Sequence, residues 1–85
     1  MEEIDKILYK MGYYDADPQK KQEVQDSVDA AVEFMLESGV PKEKINCSRA
    51  YSVKALFADA FDKGVPDDVI KKDGIVVALI AQMKR

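Results

Sequence analysis

Ile75-Val76-Val77-Ala78-Leu79-Ile80-Ala81 is an unbroken run of seven apolar residues near the end of an 85-residue chain. Its reading decides the fold. As a strand it would be short, buried and β-branched at its start. Such a strand needs a partner, and no second convincing strand pattern occurs in the chain. As a helix it is apolar nearly all round, whereas a surface helix of a small domain keeps a polar side. The helix is the better reading. It runs from Gly74 to about Lys84, with Asp73 in the capping position. Ala78, Ala81, Gln82, Met83 and Lys84 favour helix, and a basic ending suits a helix C-terminus. On a helical wheel Ile75, Val76, Leu79, Ile80 and Met83 span one broad stripe, expected to face the core. Val77, Ala78 and Ala81 fall outside it.

Working outward, the rest of the chain also reads as helix. Ile4, Ile7, Leu8 and Met11 repeat at i, i+3, i+4, i+7 over a first segment from Glu2 to Met11, closed by Gly12. Tyr13 to Asp17 is a connector. Asp17 can cap a second segment, with Pro18 at its first position. That segment reaches Ser38 and is the longest. Val24, Val28, Ala31, Val32, Met35 and Leu36 form its stripe, with Phe34 at the edge, and Gly39 and Pro41 stop it. Pro41 to Asn46 reads as a single turn. Asn46 or Ser48 can cap a third segment from Cys47 to Lys63, whose stripe is Ala50, Val53, Leu56, Phe57, Ala60 and Phe61. Tyr51, Ala55 and Ala58 make a second, weaker apolar face on it. Gly64 closes it, and Val65 to Asp73 is a short connection that reads as a loop or, from Asp67 to Lys72, as a turn or two of helix. The expectation is one all-α domain over 1–85, a bundle of about four helices.

Composition supports one folded domain. The chain is 47% hydrophobic and 34% charged, too apolar for disorder. A chain of this size buries roughly 60–65% of its unfolded surface, so its stability is narrow. Cys47 is alone, which excludes a disulfide framework and suits a reducing compartment. Net charge is −3 with both signs interspersed, so no basic footprint for nucleic acid is present and no specific nucleic-acid binding is expected. Met1-Glu2-Glu3 is acidic where a secretory leader is positive, so none is expected. The apolar run is far short of the ~20 residues that span a bilayer, so no membrane association is expected.

Signals of chemistry are thin. Histidine, the commonest general base, is absent. Cys47 lacks a histidine partner, and no serine sits in a nucleophile-elbow context. Asp15-Ala16-Asp17 begins like a calcium loop, but Pro18 follows and the later glycine and glutamate are missing, so a turn with a cap explains it better. The glycines stand singly at element ends and make no phosphate-cradling loop. No metal, cofactor or catalytic activity is expected. Tyr9, Tyr13, Tyr14 and Tyr51 read either as a contact patch or as lids on a small core. The one positive signal is apolar excess. Val77, Ala78 and Ala81, together with Tyr51, Ala55 and Ala58, are candidates for a subunit interface; lying against the domain's own loops is the alternative.

Three stretches carry a resemblance. Ile4-Asp5-Lys6-Ile7-Leu8-Tyr9-Lys10-Met11, Ser27-Val28-Asp29-Ala30-Ala31-Val32-Glu33-Phe34-Met35, and Val53 to Phe61 with Gly74 to Arg85 are similar to the helices of the small head–tail connector (head-completion or adaptor) proteins of tailed phages and prophages. The likeness spans nearly the whole chain and rests on patterns, not invariant motifs. The connection from Gly64 to Asp73 is shorter than the loop many members carry there. The resemblance implies a structural assembly protein, located in the virion or bacterial host cytoplasm. Its subunits would form a ring-like oligomer between portal and tail-completion proteins. A monomeric helical adaptor that binds a partner helix or peptide in a groove is the alternative expectation.

Overall fold

Three glycine-terminated helices set the frame. In the computed structural model, which describes residues 2–84, α1 is Glu3–Lys10, α2 is Pro18–Glu37 and α3 is Ser48–Asp62. Each ends in a glycine of positive φ: Gly12 at 95°, Gly39 at 100° and Gly64 at 78°. The hydrogen bonds are those of a Schellman turn at every one. After α2, for example, Val40 N–H donates to the Met35 carbonyl and Gly39 N–H to that of Leu36. A short α4, Asp67–Lys71, and α5, Gly74–Met83, complete the chain. A 3₁₀ turn at Lys42–Lys44 links α2 to α3. The fold is all-α, with α2 the longest helix at 20 residues. The connection before α5 therefore contains a helix, and the run at Ile75 is helical. Met1, the first residue of the acidic start, and Arg85, the last of the basic ending, lie outside the described residues.

Capping follows the sequence at two of three helix starts. Asp17 accepts from Lys20 N–H at 2.7 Å, and Pro18 occupies the first turn of α2. Asp73 Oδ1 accepts from the N–H groups of Ile75 at 2.9 Å and Val76 at 3.3 Å. At α3 the expected caps are both wrong. Cys47 holds the capping position and makes no side-chain bond. Asn46 has another task, because its Oδ1 accepts from Lys54 Nζ at 3.2 Å.

The core has two parts divided by α3. On one side Ala31, Met35, Ala50, Val53, Phe57, Ile70, Val76, Ile80 and Met83 join α2, α3, α4 and α5. On the other, Ile4, Ile7 and Leu8 of α1 pack with Val24, Val28, Ala55 and Ala58. Buried positions on α3 thus cover an arc of about 200° at 100° per residue. Leu36, placed in the core stripe by periodicity, is 40% exposed. The chain turns away at Gly39 within one turn of it, so nothing covers that side.

Candidate functional site

The seating of α5 decides which of its residues are left outside. Its principal neighbour is α3, with α4 a lesser one. Val76, Ile80 and Met83, at i, i+4, i+7, point into the core and Leu79 is half-buried. Ala78 and Ala81 are exposed and Val77 is 51% exposed, as the wheel suggested. Ile75 is a correction: expected in the core stripe, it is 63% exposed. One neighbouring helix covers only a narrow stripe, and Ile75 lies about 100° of helix rotation from Val76. The outer face of α5 is therefore Ile75, Val77, Ala78 and Ala81, with the polar but uncharged Gln82 between Ala78 and Ile75.

The second candidate face does not survive folding. Ala55 and Ala58 are buried beneath α1 in the smaller core, and Tyr51 is half-buried with the Lys10 ammonium 5.6 Å from its ring centroid. These three residues hold α1 to α3, and what stays open is an edge of Tyr51 and of Ala55 rather than a face. The error has a physical source. A bundle in which every helix shows one stripe to one core would leave that face spare, but α3 is central and buried on two sides. Lys54 was missed for the same reason. It is only 3% exposed, with its Nζ 2.9 Å from Glu3 Oε1.

Beside the outer face of α5 lies an apolar groove of about 500 Å³ between α1, α3 and α5. Met11, Ala55, Leu56, Ile75 and Leu79 line it, and Lys10 and Asp59 stand at its polar margin. At the far end of α5, Arg49 Nε donates to Gln82 Oε1 at 2.6 Å. Lys84 closes the helix, its Cε close enough to the Gly39 backbone to crowd any Cβ added there. Lys10, Arg49 and Lys84 are all exposed, and none has a carboxylate at ion-pairing distance among the described residues.

The remaining polar clusters are structural in geometry. Tyr13 OH donates to Asp62 Oδ2 at 2.8 Å, and Lys20 pairs with Asp62 Oδ1 while its ammonium lies 4.6 Å from the Tyr13 ring centroid. The Lys20 hydrogen bond, and then that of Tyr13, holds the Asp62 carboxyl below its ordinary value. Asp62 in turn pushes Lys20 up to about 12. Lys71 is raised by its hydrogen bond to Asp67. The tyrosines divide between the two readings: Tyr13 and Tyr51 are half-buried lids, while Tyr9 and Tyr14 form an exposed edge-to-face pair 4.7 Å apart. Among the described residues no three His, Cys, Asp or Glu side chains are placed to share a metal ion. No helix among them is long and apolar enough to cross a membrane. Comparison with protein families, with curated proteins and with solved structures finds no match.

Proposed function

We propose that this chain is a structural assembly subunit that works by self-association. The observation that carries the reading is the outer face of α5. A ten-residue helix with no charged side chain sends Val76, Ile80 and Met83 inward and leaves Ile75, Val77, Ala78 and Ala81 uncovered. Exposed apolar side chains gathered on one face of a helix are the kind of surface that a protein contact covers. The resemblance to head–tail connectors gives the assembly its form: a ring-like oligomer seated between a portal and tail-completion proteins. Light scattering and sedimentation over a concentration series test the association. Mass should rise with concentration up to about 1 mM, where a contact worth only about 4 kcal/mol is half populated. A strict monomer throughout that range rules the reading out.

The groove between α1, α3 and α5 supports a second reading, a monomeric adaptor taking an apolar helix or peptide. The two readings part at the same measurement, because an adaptor stays monomeric at every concentration.

A further inference from the structure

This inference rests on the self-assembly reading and names the surface that the outer face of α5 would meet. We propose that α5 of one copy docks on the acidic outer face of α2 of a second copy, head to tail. Asp26, Asp29, Glu33 and Glu37 recur at i, i+3, i+7, i+11 and are all exposed, on the side of α2 opposite its buried stripe. None of the four makes an ion pair among the described residues. Lys20 is engaged with Asp62 and Lys21 with Asp5 at 3.2 Å. Lys71 pairs with Asp67 at 3.0 Å and is also near enough to Glu33 and Glu37 to feel their charge, so one shared cation serves a row of four carboxylates. Exposed Leu36 flanks the acidic row and supplies an apolar contact.

The α5 side is its complement. Its apolar face is flanked by the unpaired cations Lys10, Arg49 and Lys84. The lengths agree: Asp26 to Glu37 covers about 16 Å of helix and Ile75 to Lys84 about 14 Å. Two different patches on one chain make a heterologous contact, which propagates from copy to copy and closes only if the rotation allows. Complementary charge also fixes the pairing, since α5 against α5 would set cation rim against cation rim.

Two charge-reversed proteins test the pairing. One carries Asp29→Lys, Glu33→Lys and Glu37→Lys; the other carries Lys10→Glu, Arg49→Glu and Lys84→Glu. A third, Asp15→Lys, Glu43→Lys and Asp68→Lys, matches the charge change of the first at exposed positions outside α2 and α5. Circular dichroism checks that each is folded. Sedimentation velocity then reads association in about 50 and about 500 mM sodium chloride. The wild-type association constant should fall about tenfold across that salt range. Each reversed protein alone should be monomeric, their equimolar mixture should associate again, and the third should behave as wild type. If the wild type associates but the mixture does not recover, or the third protein fails equally, the α5-to-α2 pairing is wrong and self-assembly stands. If the wild type never associates, both are wrong. A wild type that stays monomeric but pelleted with anionic vesicles assigns the α5 face to a lipid surface instead.

Discussion

Lys54 Nζ lies 2.9 Å from Glu3 Oε1, joining the middle of α3 to the first turn of α1. Lys54 is buried, whereas the Glu3 side chain is 39% exposed. Asn46 supplies a second acceptor for the ammonium. A buried charge is tolerated only when paired, and removing one partner leaves the other uncompensated. Glu3→Gln should therefore destabilise the fold by about 1–2 kcal/mol, less than for a fully buried pair because water reaches Glu3. Lys54→Met replaces the charge with an apolar side chain of similar reach and should cost less than Glu3→Gln, or stabilise. Urea denaturation of both variants checks the order; a larger loss for Lys54→Met would show that the pair contributes net stability.

Asp73 gives a second prediction, because it closes the N-terminus of the helix that carries the candidate site. Asp73→Ala removes the acceptor for two N–H groups and should cost about 1 kcal/mol. For a domain of this size that lowers Tm by about 4–8 °C. Asp73→Asn keeps an acceptor and should avoid most of that loss, since Asn caps nearly as well as Asp. Thermal melts of the pair separate the cap from the charge.

Helix existence was legible from local chemistry. Pro18 after Asp17, Gly74 after Asp73 and glycines at 12, 39 and 64 mark starts and stops that need no tertiary information. Facing was legible only where a helix has one neighbour or a clear polar side. On α3 the two-sided burial of Ala58 and Lys54 depends on where α1 docks, and nothing in the α3 sequence alone reports that. A lysine between apolar positions reads as solvated until a carboxylate from another helix is brought to it. On α5 the sequence is apolar nearly all round, so periodicity placed the covered stripe but could not fix its width. Val77, Ala78 and Ala81 came out on the open side, and Ile75 joined them because the covered stripe is narrower than the wheel suggested.

The Tyr13–Lys20–Asp62 cluster predicts a pH window. Asp62 has a folded pKa below its unfolded value near 3.8, so its contribution is present above that pH and is lost as pH falls through the lower folded value. Lys20 is raised from 10.5 to about 12, so its contribution is complete below pH 10.5 and fades as pH rises toward 12. Both side chains are partly exposed, so the effect is modest. Asp62→Asn should lower stability at pH 7, and the difference from wild type should shrink below pH 3.8 as the native carboxyl protonates. Denaturation series at acid and neutral pH provide the comparison; an equal loss at both would mean that the cluster acts through packing rather than charge.

Ile75 and Val77 separate stability from association. Both are more than half exposed, and Gln at either position suits a helix. Ile75→Gln with Val77→Gln should therefore leave unfolding free energy within about 0.5 kcal/mol of wild type. The same change removes the two largest side chains from the open face of α5. If that face is a contact, the double variant should stay monomeric at concentrations where the wild type associates. Ile80→Gln is the contrast, because Ile80 is buried against α3 and its replacement should cost several kcal/mol without any partner present. Sedimentation and chemical denaturation on the same samples give both readouts. An Ile75/Val77 variant that unfolds with the Ile80 variant would place those side chains in the fold's own packing, whereas one that is stable and still associates would move the contact off α5.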